Sequence, residues 1–286
     1  MVAAMQADQP ASRTALGTAY MRAAHQLLDA APRILEDPLA LKLLGVDAAE
    51  RIQTHLTRYQ SPAMKALRAH VVLRSRFAED RLAAAVARGV TQYVLLGAGL
   101  DTFALRQPQW AEALAVIEVD HPSTQQFKRS LITAADLAVP PNVSFVDIDF
   151  ERESLRDGLQ RQGVALDQPT VFSWLGVTMY LQEAAIDAVL KLISGFPAGS
   201  EIVLTFTQPF EEKNETATGA FAARAAKMGE PFISFFTPAA MEAKLRRSGF
   251  GGVEFLSPKE SEIRYFSQRP QDLPVPQRTS IVAALV

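Results

Sequence analysis

The chain has 286 residues, a formal net charge of −2, 48% hydrophobic and 21% charged residues, and no cysteine. This is the profile of a globular protein large enough for a full core. It excludes disulfides, thiolate metal sites and a cysteine nucleophile, and it offers no electrostatic reason to expect a nucleic-acid or membrane partner. No apolar run approaches the roughly 20 residues that cross a bilayer, and the first thirty residues lack the basic-then-apolar order of a secretion signal. A cytosolic protein is the expectation.

In chain order, residues 1–12 are small and polar and read as poorly ordered. From Arg13 to about Gly45 the pattern is helical, broken at Pro32 and Pro38, with Asp37 placed to cap the short helix PLALKLL. Further helices are expected over Asp47–Tyr59 and Pro62–Arg88, the latter stopped by Gly89. Residues 1–70 then form a helical N-terminal cap, and 71–286 an α/β domain.

After Gly89 short apolar runs alternate with amphipathic stretches. Strands are expected at Gln92–Leu96, Ala113–Val119, Val143–Ile148, Pro169–Leu175, Glu201–Thr207, Gly252–Ser257 and Ser280–Val286. Helices are expected at Ser123–Ala135, Glu151–Gln162, Gln182–Ser194 and Pro238–Ser248. This alternation reads as a mostly parallel sheet with helices on both faces, joined by right-handed crossovers. Residues 208–237 are charged and then aromatic, as a lid or a substrate wall would be.

The chemistry gathers at strand ends. The first strand closes on Gly97-Ala98-Gly99, a turn that lets the backbone approach a ligand, with a helix expected to start at once. About twenty residues on, AVIEVD ends in Asp120, where a carboxylate can accept from ribose hydroxyls. SFVDID ends in Asp147 and Asp149, either of which could accept from an exocyclic amine, with Ile148 or Phe150 against the ring. Each has a plainer alternative: a strand-to-helix turn, a solvated loop acid, and a helix cap for Asp149.

A third glycine, as in a dinucleotide fingerprint, is replaced by Thr102, and Asp101 adds a charge that repels a pyrophosphate but suits a sulfonium and an amino group. That ligand is S-adenosylmethionine. Its carboxylate needs a cation, and Arg76 lies ~20 Å up a helix from Gly89 at ~1.5 Å per residue, level with the glycine turn if helix and strand run antiparallel. A surface pair with Asp80 is the plainer reading of Arg76.

LGAGLDTFALR, IEVDHP, VDIDF and FSWLGVTMYL, in that order, resemble the class I S-adenosylmethionine-dependent methyltransferases of the leucine carboxyl methyltransferase-like group. The likeness is greatest to the bacterial branch often assigned to O-methylation of polyketides and other small molecules. SRTALGTAYMRA, EDPLALKLL, RSRFAED and FTPAAMEAKLRRSGF extend the resemblance over nearly the whole chain. It implies a Rossmann-like sheet of seven strands, the last antiparallel. It also implies cofactor contacts from Arg76, Gly97, Ala98, Gly99 and Asp120, and from an Asp-hydrophobic pair at Asp147-Ile148 or Asp149-Phe150. Carboxyl methyltransferases of the group carry a glutamate near the end of strand 4, where this chain reads Trp174-Leu175-Gly176. A small-molecule acceptor is therefore expected rather than a protein C-terminus.

Tyr180 is the candidate for the methyl-transfer site, against the plainer role of a half-buried ring. Tyr20 and Arg22 are placed to grip an acceptor, and His121 to flank the nucleoside. His25, His55 and His70 read as solvent-facing or core residues. Phe210, Phe232, Phe235 and Phe236 suit an aromatic acceptor or a packed lid. No metal spacing is present. A nicotinamide-dependent oxidoreductase and a non-catalytic nucleoside-binding protein are the competing classes.

Overall fold

The computed structural model describes residues 11–209 and 217–286; Phe210 lies outside them. The N-terminal helices are α1 (Arg13–Leu28), α2 (Leu39–Leu44), α3 (Ala48–Thr54), α4 (Leu56–Tyr59) and α5 (Pro62–Ala87). Asp37 does cap α2, its carboxylate accepting from Ala40 N–H at 3.1 Å. The single helix expected over 47–59 breaks at His55 instead. Ser61 caps α5 beside Pro62 in its first turn, where a missing N–H costs nothing.

The remaining chain runs β1 (Gln92–Leu96), β2 (Ala115–Asp120), α6 (Pro122–Ala134), β3 (Val143–Asp147), α7 (Leu155–Arg161), β4 (Thr170–Trp174), α8 (Glu183–Ile193), β5 (Glu201–Thr205), α9 (Ala217–Lys227), α10 (Pro238–Ser248), β6 (Gly252–Phe255) and β7 (Ile281–Leu285). The sheet order is β3-β2-β1-β4-β5-β7-β6, with β7 antiparallel to both neighbours and the other pairings parallel. This is the Rossmann-like arrangement expected from the sequence.

Both faces of the central strands are covered, so their side chains are mostly apolar, and polar ones such as Glu118 and Ser173 are buried with partners. Val94 and Leu96 of β1 join Phe172, Trp174 and Ile186 in one core; Tyr93 and Leu95 pack on the other face with Leu82 and Phe103. Helix α5 lies along the sheet, and α1 packs on α5. Among the described residues no helix is long and apolar enough to cross a membrane.

Two further expected helices differ. The glycine turn leads only into a single turn, Phe103–Leu105, rather than a full helix, so Asp101 does not sit on a long helix dipole. Helix α7 begins at Leu155 rather than Glu151, because Ser154 accepts from Asp157 N–H and caps it there.

Candidate functional site

The strand order reverses between β1 and β4, and a crevice opens beyond their carboxyl ends, as open α/β sheets require. Gly97 and Gly99 have φ of +63° and +52°, values open to glycine at little cost. A side chain on Gly97 would strike Val177, so the loops after β1 and β4 meet across the crevice.

A cavity of about 440 Å³ fills that crevice, within the usual range for small-molecule sites. Gly97, Ala98, Gly99, Asp120, His121, Ile148, Asp149 and Phe150 are among the residues that line it. Arg22, Arg74, Asp101 and Ser173 also line it, together with Thr14, Met179, Tyr180, Glu230 and Ile233.

Asp120 ends β2 with its carboxylate accepting from the N–H of Gly99 and, at 2.7 Å, from that of His121. Burial raises it above the ordinary aspartate range, opposed by those two amides and by Lys128. Beneath it lies the buried pair Glu118–Lys128, with both carboxylate oxygens 2.6 Å from Nζ. Asp101 accepts from Phe103 N–H at 2.7 Å. Burial works against its charge, but Arg22, Arg106 and Lys128 outweigh that and hold it below the usual value.

Two of the expected cofactor residues fall outside the cavity. Arg76 is exposed on the outer face of α5, with Nε 2.8 Å from Asp80, as the plainer reading had it. Arg74, two residues earlier and on the opposite side of the helix, takes the inward position. Its buried Nε has no hydrogen-bond partner among the described residues, and burial followed by Arg22 pushes the guanidinium down to about 10. Asp147 is exposed at the end of β3; the chain turns there, and Ile148, Asp149 and Phe150 line the cavity instead. Asp149 does not cap α7: its Oδ1 accepts from Glu151 N–H at 3.0 Å within a turn.

The sequence profile of the family described as leucine carboxyl methyltransferase matches residues 15–194, more than half of the chain and every strand that borders the cavity. The chain belongs to this family. A Bacillus subtilis relative, YktD, provisionally named an S-adenosyl-L-methionine-dependent methyltransferase, is 34% identical over 92% of this chain and 93% of its own. A similarly named Mycobacterium marinum protein is 31% identical over 74% of this chain and 73% of its own. Among solved structures, a DUF574-family protein from Streptomyces avermitilis superposes with a TM-score of 0.54 at 20% identity, covering 85% of this chain and 94% of its own. A provisionally named methyltransferase from Thermobifida fusca gives 0.52 at 17% identity, over 85% and 91%. At those identities the likeness concerns the fold. The protein is thus an S-adenosylmethionine-dependent methyltransferase by family.

Within this methyltransferase Arg22 lines the cavity and is also tied to Asp37, whereas Tyr20 pairs with Arg51 at 3.2 Å away from it. His121 lines the cavity and caps α6. His25 is buried against Asp29 at 2.7 Å, beside Arg68, and His55 is exposed. His70 is half-buried, and burial and Arg74 push it down to about 3, so it is neutral. Thr14, Met179, Glu230 and Ile233 were not singled out from the sequence. For Arg74 a signal existed, since it lies in the same helical motif; for Glu230 there was none, because its partners are more than 200 residues away in the chain.

Proposed function

We propose that the protein transfers a methyl group from S-adenosylmethionine to an oxygen, hydroxyl or carboxylate, of a small organic acceptor. The supporting observation is one cavity lined both by the glycine turn Gly97–Gly99 with Asp120 and Asp149 and by Tyr180 with the apolar side chains of Met179 and Ile233.

The donor set suits the cofactor. Asp120 would take the ribose hydroxyls, Asp149 the adenine amine, and Ile148 and Phe150 its ring, and all four line the cavity. The Arg74 guanidinium, whose Nε has no partner among the described residues, suits the carboxylate, and the charged Asp101 the ammonium. When bound, S-adenosylmethionine supplies an electrophilic methyl on a sulfonium and a neutral thioether leaving group.

The chain's own task is alignment and exclusion of water, which together can contribute several kcal/mol. Tyr180 is held edge-on by Phe232, ring centroids 5.2 Å apart. Burial pushes its phenol up to about 12; the Thr14 side chain opposes this and Glu230 adds to it. At neutral pH Tyr180 therefore keeps its proton and orients an acceptor oxygen as a hydrogen-bond donor. A carboxylate acceptor needs no base there, and a hydroxyl acceptor must give up its proton as the bond forms. The apolar walls from Met179 and Ile233 fit an acceptor with an aromatic or other apolar body. The cap residues 13–70 and the segment 208–237 would select it.

The first test is calorimetric titration with S-adenosylmethionine, S-adenosylhomocysteine and NADH, with Asp120→Ala beside the native protein. Micromolar binding of the two sulfur nucleosides, lost in the variant, supports the reading. Preference for NADH, or no binding, removes it. Transfer of radiolabelled methyl to a panel of phenols, alcohols and carboxylic acids then tests the acceptor atom.

A further inference from the structure

Glu230 stands between Gly229 and Pro231, just after α9, and its carboxylate is spent entirely on the first turn of α1. It accepts from Arg13 N–H at 2.6 Å, Thr14 N–H at 3.2 Å, Ser12 Oγ at 3.1 Å and the Thr14 hydroxyl. Those amides are among the four that an α-helix leaves unpaired at its start, and a carboxylate there also meets the positive end of the helix dipole. The helix has a local cap already, since Ser12 Oγ accepts from Ala15 N–H at 3.0 Å. A second cap from 216 to 218 residues away fastens the turn to something else.

That something is the cavity. Ser12, Thr14, Ala15, Thr18 and Glu230 all line it. On the far side, Ser12 N–H donates to Thr124 Oγ1 of α6 at 3.2 Å. Below, Ala15 Cβ lies 3.2 Å from where a side chain on Gly99 would begin. The first turn of α1 is therefore a roof over the glycine turn, pinned by Thr124 at one edge and by Glu230 at the other. The same tie keeps the Thr14 side chain beside the Tyr180 hydroxyl.

We infer that Glu230 is a positioning residue: by holding the first turn of α1 over the glycine turn it completes the cofactor cavity and sets the rate at which the cofactor exchanges. This rests on the methyltransferase reading for the identity of the ligand, but not for the tie itself. Breaking the tie loosens the roof, so ligand enters and leaves faster. A contact that served only folding would lower stability without speeding association.

The test uses the full chain, native and as Glu230→Ala, Glu230→Gln and Glu230→Asp. Two measurements are made: trypsin cleavage after Arg13 without ligand, followed by mass spectrometry, and stopped-flow association and dissociation of S-adenosylhomocysteine. Loss of a charge-assisted tie predicts roughly tenfold faster cleavage after Arg13 in Glu230→Ala. Both rate constants for S-adenosylhomocysteine should rise severalfold, with Glu230→Asp closer to native. Native-like cleavage after Arg13 in Glu230→Ala overturns the inference whatever the ligand. So do unchanged rate constants, or slower association accompanied by a lower melting temperature. If the native protein binds no S-adenosylhomocysteine, the methyltransferase reading fails while the cleavage arm still decides the tie.

Discussion

Gly176 and Arg74 occupy adjoining space: a Cβ on Gly176 would lie 2.9 Å from Arg74 Cζ and in collision with Nη1. Gly176 also has φ of +79°, which an L side chain adopts only under strain. The bare backbone after β4 thus makes the room in which the inward arginine lies. Gly176→Ala should destabilise the protein by about 2 kcal/mol, from strain and displacement together. It should also weaken S-adenosylmethionine binding by about tenfold, because the guanidinium must move. Urea unfolding and calorimetry read the two effects separately, and a variant with native affinity would remove Arg74 from the binding surface.

Arg74 and Arg76 provide a matched pair. Arg74→Lys keeps the charge but loses the planar fork that grips a carboxylate through two parallel hydrogen bonds. Cofactor affinity should fall by about tenfold or more. Arg76→Ala breaks only an exposed pair with Asp80, so stability should change by less than about 1 kcal/mol and affinity should stay within about twofold. The reverse ranking in calorimetry would restore the outer arginine as the anchor.

This pair also shows where reading a sequence stops. Height along a helix follows from ~1.5 Å per residue, which placed the right turn of α5 beside the glycine turn. Two residues differ by only ~3 Å in height but by about 200° around the axis, and nothing in RSRFAED alone says which side meets the sheet. The strands were legible because a sheet buried on both faces writes short, mostly apolar runs. Asp147 and Asp149 would share a face only if β3 continued; the strand stops at Asp147, and the turn carries only Asp149 to the cavity. The Glu230 tie left no local trace because it joins residues from opposite parts of the chain.

Asp120 gives the cavity a pH dependence whose sign can be worked out. Burial raises its folded value above the ordinary 3.8. The folded chain therefore takes up this proton at higher pH than the unfolded chain does. The cost of its charge enters as pH rises from the ordinary value to the raised one, and is constant above. Ligand binding has the opposite demand, because an acceptor for ribose hydroxyls must be ionised. Affinity for S-adenosylhomocysteine should fall on acidification at a pH above the usual aspartate range. Asp120→Asn should bind weakly at pH 7 and lose that acid limb. Calorimetry across pH decides it, and an acid limb retained by Asp120→Asn assigns the titration to another group.

Asp37 joins the N-terminal helices to the residues that follow the glycine turn. It is fully buried and accepts from Arg22 Nε at 3.0 Å, Thr102 Oγ1 at 2.6 Å and Ala40 N–H at 3.1 Å. Arg22 in turn donates to the carbonyl of Leu100. Asp37→Ala removes one partner of a buried ion pair and leaves Arg22 without its carboxylate, a change that typically costs about 3–5 kcal/mol. Asp37→Asn keeps an acceptor for Thr102 and Ala40 but not the charge, so a smaller loss of about 1–3 kcal/mol is expected. Because Leu100 and Thr102 are held through this network, cofactor affinity should fall in the same order, Ala before Asn. Urea midpoints at equal slope, with calorimetry beside them, check the ranking. Native midpoints in both variants would mean that the sheet alone holds the glycine turn.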